Sequence, residues 1–377
     1  MVIRRIVHAA TTLVVSGLFP PIRNLTMKTS LHYRKRLFLP VSVALALSAG
    51  VGTINASWPF AAALLALSGT PMFVDAAEGG EVQTATDFQN QHAQWVKKRE
   101  AELTQADGWT SLIGLHWVDS NRESVGGGQG NDIRLLIAPD KLGKVEQRDG
   151  ALFFSAADGA KVSVDGKPLQ GVVQLKPEGK DGGTKLGYDD GKGQITVIDR
   201  QGRLALRVRH ADSPDRLHFK GLDVFPPDQQ WQVKARFVAH PPGKTIQISN
   251  IIGNVSETPN PGYVEFDKNG RTWRLEATGD AAKGLNFIFK DATSGKETYG
   301  VGRFLHTGPV ASDGTVVVDF NRAYNPPCAF TQYATYPLPP PENRFVQKDA
   351  KGEVARLAVQ AGEKKYRGHE EKSASDG

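Results

Sequence analysis

The chain has 377 residues, 40% hydrophobic and 23% charged, which excludes a disordered or fibrous protein and leaves room for a sizeable core or two domains. Its net charge of +6 hints at an anionic partner, but seven of the 46 basic residues and only two of the 40 acidic ones precede Gly79. The body is therefore almost neutral, which argues against nucleic acid and against an anionic membrane surface. A single cysteine, Cys328, excludes an intrachain disulfide and a multi-cysteine zinc site.

The first 78 residues read as an upstream extension followed by an export signal or anchor. Arg34, Lys35 and Arg36 form a positive region ahead of the uncharged stretch Leu37 to Val51, and a second uncharged stretch runs from Trp58 to Val74. Small residues at Ala46/Ser48 and Val74/Ala76 offer cleavage sites. The expectation is an exported protein, periplasmic or secreted, touching the membrane only if this leader stays uncleaved. Prolines at 40, 59 and 71 break both apolar runs and weaken the anchor reading.

Residues 79–108 form an N-terminal helical segment. Thr84 to Thr104 lacks Gly and Pro, and Phe88, Trp95, Val96 and Leu103 give it a partial apolar stripe. Gly108 ends it, and Gly108 to Val118 reads as an apolar strand and turn. From there the pattern is β. Short alternating runs recur at Asp132–Ile137, Ala151–Ser155, Lys161–Val164, Gly171–Leu175, Ile195–Ile198 and Arg203–Arg209. Further runs follow at Trp231–Val238, Thr245–Ile251, Tyr263–Phe266, Arg271–Ala277, Leu285–Lys290 and Thr315–Phe320. Asp149-Gly150, Asp165-Gly166, Gln201-Gly202, Asn269-Gly270 and Asp313-Gly314 suit two-residue hairpin turns, which need positive φ at both central positions.

The order of turn, strand and hairpin over Ser124 to Leu169, with its VDGKPL loop, resembles a forkhead-associated β-sandwich. The Arg and Ser-x-x-His that would read a phosphothreonine are missing, so phosphopeptide binding is not expected. The predicted fold is therefore mainly β: an N-terminal helix, a forkhead-associated-like β-sandwich over 109–210, and a second antiparallel sandwich or barrel-like domain over 211–363. Residues 364–377 are charged and rich in small residues, and are expected to be disordered.

Chemical signatures are scarce. There is no G-x-S-x-G elbow, no H-E-x-x-H, no P-loop and no dinucleotide fingerprint at Gly126–Gly130. His210, Asp212, Asp215 and His218 have ligand chemistry, but they read more simply as a polar turn begun by Asp212-Ser213-Pro214, so no metal is assigned. The cofactor is left unknown. The densest polar segment is Gly302 to Asn343, where Arg303, His306, Asp319, Asn321, Arg322, Asn325, Glu342 and Asn343 lie among aromatic residues and prolines. Polar groups held in such surroundings must be hydrogen-bonded. The segment is thus either a structural network or the wall of a ligand site, in which Asp319 and Glu342 would pair as carboxylates, Arg303 and Arg322 would tune them, and His306 would titrate.

The strings GRFL, DFNRAYNPPCAFT, PLPPPEN and AGEK (Ala361 to Lys364) resemble the bacterial domain of unknown function 1684 family. So do Trp95-x-x-x-Arg99-x-x-x-Leu103, the following GW and GLHW, DSPDR (Asp212 to Arg216) and FKGLDVFP (Phe219 to Pro226). The resemblance carries over no activity. It implies a second cysteine eight residues after Cys328, where this chain has Tyr336; either Cys328 is merely packed or Tyr336 packs in place of the staple. Two readings follow. The first is a β-rich envelope protein that binds a small molecule or an envelope component. The second is an exported hydrolase-like enzyme built on the Asp/Arg/Asn/Glu cluster. The first is preferred because no nucleophile–base pair is legible.

Overall fold

The computed structural model describes residues 84–179, 182–348 and 350–369. The leader, the start of the N-terminal segment and residues 370–377 of the expected tail lie outside them. The described residues belong to one compact unit. It is mainly β, built of several antiparallel sheets with one half-barrel. Among the described residues no helix is long and apolar enough to cross a membrane.

Helix α1 (Ala85–Leu103) begins at Thr84, whose hydroxyl accepts the Asp87 N–H, and closes at Thr104. Its buried face is more polar than the apolar stripe suggested. Phe88, His92 and Leu103 are buried, whereas Trp95 and Val96 are only partly covered. His92 and Arg99 fill the rest of the face and are tolerated there because each finds a hydrogen-bond partner.

The N-terminal half is a sandwich of two sheets. One has six strands in the order Leu112–Trp117, Arg203–His210, Gly193–Arg200, Leu186–Tyr188, Ser163–Val164 and Lys167–Pro168. The other has five, in the order Ile133–Arg134, Arg122–Gly126, Gly143–Arg148, Ala151–Ala156 and Val172–Leu175. Val145, Phe154 and Leu175 from the smaller sheet meet Ile195, Leu206 and Val208 from the larger in one core. The expected strand Asp132–Ile137 shrinks to Ile133–Arg134 and pairs in parallel with Arg122–Gly126, a strand the apolar pattern did not reveal because it is short and mostly polar.

In the C-terminal half a six-stranded antiparallel sheet runs Arg303–His306, Gly284–Phe289, Arg271–Asp280, Gly262–Lys268, Gln232–Ala239 and Thr315–Asp319. It packs around an aromatic cluster in which Phe320 meets Trp231, Phe266, Phe289 and Phe345 at ring-centroid distances of 5.4–6.0 Å. Phe345 adopts φ 44°, an uncommon backbone state for an aromatic residue, and its buried ring edges Trp273.

Four of the five dipeptide turns have positive φ at both central residues, as a two-residue hairpin requires: Asp149-Gly150, Asp165-Gly166, Gln201-Gly202 and Asn269-Gly270. Asp313-Gly314 differs. Only Gly314 has positive φ, and the strands on either side lie at opposite edges of the sheet, so no hairpin joins them. The Asp313 carboxylate instead accepts the Thr315 N–H and hydroxyl.

Candidate functional site

The polar residues of the Gly302–Asn343 segment separate into distinct groups. Arg303 projects from a sheet edge into the interior, where its side chain is 1% exposed. It ion-pairs with the buried Asp291 at 2.7 Å and donates to the carbonyls of Val359 at 2.8 Å, Ala361, and Glu363 at 3.3 Å. Its planar fork thus anchors the Val359–Glu363 strand-like segment. Gly362 lies in that segment at φ 78°, and a Cβ there would sit 2.4 Å from the Ala323 carbonyl, so only glycine permits the approach.

Three asparagines act as substitute backbone. Asn343 accepts the Glu276 N–H at 2.7 Å and donates to the carbonyls of Glu276 at 2.9 Å and Ile288 at 3.1 Å. The strands Arg271–Asp280 and Gly284–Phe289 pair only from Thr278/Asn286 towards their turn, and Asn343 bridges them where that pairing has ended. Asn321 does the same for the Asp228 loop, accepting its N–H and donating to its carbonyl, both at 2.9 Å. Asn325 donates to the Lys364 carbonyl at 2.7 Å. Asp319 accepts both the N–H and the side-chain amide of Asn321, and lies 3.4 Å from the half-exposed Arg322. Glu342 stands exposed in the 3-10 turn Pro341–Asn343. Asp319 therefore partners Asn321 and Arg322 rather than pairing with the exposed Glu342 as the sequence suggests.

Helix α1 closes over this network. The Arg99 guanidinium bonds the Glu363 carboxylate at 3.1 Å and the Asn325 carbonyl at 3.1 Å, and lies 4.7 Å over the Tyr324 ring. Glu363 is fully buried and also accepts the Asn325 N–H at 2.7 Å. Burial pushes its carboxyl up, against the downward pull of Arg99 and of that N–H. The other end of α1 is held by DSPDR: Arg216 donates to the Thr104 carbonyl at 2.8 Å and to the Ala211 carbonyl at 2.7 Å. In the same stretch Asp212 N–H donates to His210 Nδ1, and His210 Nε2 faces Asp189 at 3.1 Å. Both nitrogens of His210 are thus engaged within the protein.

One polar chain of this region reaches solvent. His306 is exposed; its Nδ1 meets Asn286 Oδ1 and its Nε2 meets the Tyr324 hydroxyl. With Asn286 presenting its oxygen, the imidazole must carry its proton on Nδ1, so Nε2 accepts from Tyr324. Burial and then Arg99 lower the His306 pKa, which keeps the ring neutral and able to accept at neutral pH. Burial pushes the Tyr324 hydroxyl up to about 12, while Arg99 opposes the rise. Tyr324 is therefore a hydrogen-bond donor rather than a phenolate.

The sequence marks His306 but gives no sign that Asn286 and Tyr324 are its partners, that Asp291 pairs with Arg303, or that Arg99 and Glu363 meet at Asn325. Arg99 and Glu363 do lie in recognisable strings, but their contact spans most of the body's sequence and no local spacing reveals it. Cys328 lies half-buried beside Tyr299, whose hydroxyl donates to its backbone carbonyl at 3.3 Å; burial pushes the thiol up, against the downward influence of the Tyr299 and Tyr336 hydroxyls. Tyr336 thus packs directly against Cys328.

Residues 217–364 match the family model described as "Protein of unknown function (DUF1684)", which bears out the resemblance read from DFNRAYNPPCAFT and its neighbours. No curated protein matches the chain. An uncharacterised protein of Haloarcula marismortui, solved by solution NMR, is similar at 29% identity over 40% of this chain and 78% of its own, with a TM-score of 0.31.

Proposed function

We propose that this is an exported envelope protein whose C-terminal β-half binds a ligand or partner, with Asn286, His306 and Tyr324 forming the contact surface. One observation carries the reading. The Asn286–His306–Tyr324 chain is solvent-facing, whereas Arg303, Asn321 and Asn343 are buried on internal partners. Buried groups already hydrogen-bonded in this way hold the fold and have little left to offer a ligand. A neutral imidazole flanked by a tyrosine hydroxyl offers both a polar edge and an aromatic face, the chemistry that small polar ligands and peptide edges use.

The test is a thermal-shift panel of sugars, cell-wall fragments, nucleotides and divalent metals on wild type and His306→Ala. A compound that raises the wild-type midpoint and leaves the variant unmoved supports the surface and names the ligand class. A hit that shifts both proteins equally sinks it. Export is tested separately by cell fractionation, where recovery of the intact, full-length chain in the cytoplasm defeats that half of the proposal.

The same chain favours a second reading. Asn–His–Tyr has the order of a proton relay, in which a base is oriented by a third group. A hydrolase-like activity would then fall in acid as His306 protonates, and Tyr324→Phe would abolish it without moving the melting midpoint.

A further inference from the structure

A second constellation lies on the other half of the molecule, in the sheet of the N-terminal sandwich. The strand Arg203–His210 alternates: Leu204, Leu206 and Val208 enter the core, while Arg207 and Arg209 share the opposite face. On the neighbouring strand Thr196 stands beside Arg207 and Gln194 beside Arg209. Glu178 folds over this face and meets both arginines. Its Oε1 accepts the Thr196 hydroxyl at 2.5 Å, and its Oε2 takes Arg207.

Arg209 is left over. Its side chain is 13% exposed, and its nearest approach to Glu178 is 3.7 Å, beyond hydrogen-bond range. Its Nε is buried without a partner, as is that of Arg207. Among the described residues nothing hydrogen-bonds the Arg209 guanidinium. A nearly buried guanidinium whose Nε–H has no acceptor and whose ion pair with Glu178 stands at 3.7 Å is under-satisfied and calls for a further acceptor.

The guanidinium lines a cavity of about 280 Å3, together with Lys185, Gln194, Thr196, Glu178 and Asp107. Among the described residues, with Arg207 behind Glu178, three cations face two carboxylates, and Glu178 is already engaged by Arg207 and Thr196. The cavity is at the small end of ligand pockets, which run to about 300–1,000 Å3, so it suits a small anion and not a large cofactor.

We propose that this cavity binds a small oxyanion, with Arg209 as its principal ligand and Lys185 and Gln194 completing the grip. Arg207 and Thr196 take the Glu178 oxygens at closer range, so Glu178 pairs only loosely with Arg209 at 3.7 Å and leaves that fork accessible to incoming oxygen atoms. The site is separate from the His306 surface and does not depend on it.

The experiment is calorimetric titration of the full-length protein with inorganic phosphate, sulfate and succinate, against sodium chloride at matched ionic strength. Saturable binding at about 1 mM or tighter is expected for at least one of them. Phosphate or sulfate alone assigns a tetrahedral group, and succinate alone assigns a carboxylate. Arg209→Gln should weaken binding at least tenfold. Gln194→Glu, which supplies an internal carboxylate beside Arg209, should abolish binding without lowering the melting midpoint in anion-free buffer, and it decides the matter if Arg209→Gln does not fold. His306→Ala should bind as wild type does. No saturable heat with any of the three anions, or binding unchanged in the variants that fold, overturns the proposal.

Discussion

Arg303 and Asn343 show how a polar residue becomes architectural. Arg303 pairs with Asp291 in the interior, so removing the guanidinium leaves a buried carboxylate unpaired. Arg303→Met is expected to cost about 3–5 kcal/mol in chemical denaturation, and Arg303→Lys should rescue little, because a single ammonium cannot reach three carbonyls and a carboxylate in the same plane. Asn343 presents one acceptor and two donor bonds to the backbone of two strands. Asn343→Ala leaves those groups unmet, at about 1–3 kcal/mol for each one that water cannot reach. Asn343→Asp should be worse than Ala, since it turns an oxygen towards two carbonyls; equal melting of the two variants would contradict this account. His92 gives a pH signature. Burial lowers its pKa, although the Asn321 carbonyl and Asp319 pull upward. The folded state therefore resists protonation. Its contribution is complete above the ordinary value near 6.5 and is lost as the pH falls from there towards the lowered value, at up to about 1.4 kcal/mol per pH unit. Glu363, raised by burial, acts in the opposite sense, so the measurement is a difference: the stability advantage of wild type over His92→Gln should shrink between pH 7.5 and pH 5.5.

Helix α1 is the element that depends most on distant partners. Its apolar stripe is thin, with Leu103 packed on Ala329 and Phe330, and the rest of what docks it is polar: Arg99 on Glu363, His92 on the Asn321 carbonyl, and Glu100 accepting the Leu222 N–H at 2.8 Å. Arg99→Ala removes the cation that offsets the buried Glu363 charge. Helix docking should then loosen, read as faster amide exchange across Ala85–Leu103 and a lower midpoint, and the double variant Arg99→Ala/Glu363→Gln should recover part of the loss. If the double variant is no more stable than Arg99→Ala, the pair is not the anchor. DSPDR, readable from the sequence only as a polar turn, is in the structure the clamp on the C-terminal end of α1.

At the scale of the whole molecule, the described residues hold two large hydrophobic cores and a smaller cluster of Leu103, Ala329 and Phe330 in one compact unit. Arg200 bonds Thr335 at 3.2 Å, Ser213 bonds the Thr110 carbonyl at 2.8 Å, and Leu103 packs on Ala329 and Phe330, so distant parts of the chain are joined by polar bonds and by one small apolar cluster. With α1 tied to both halves, wild type should melt in a single calorimetric transition. Arg99→Ala should separate it into two; an unchanged single transition would show that the halves are coupled by other means. By itself the sequence determined the β class, the α1 span to within a residue at each end, four of the five expected hairpin turns and the family strings, because helix periodicity, strand alternation and positive-φ dipeptides are local properties of the chain. It also marked Gly302 to Asn343 as unusually polar. Only the tertiary structure decided what that polarity is for. Whether Asn343 touches a ligand or two backbone carbonyls, whether Glu363 is solvated or sealed under Arg99, and whether Arg209 has an acceptor all depend on partners far away in sequence. Burial and charge pairing are properties of the packed molecule, and no spacing along the chain encodes them.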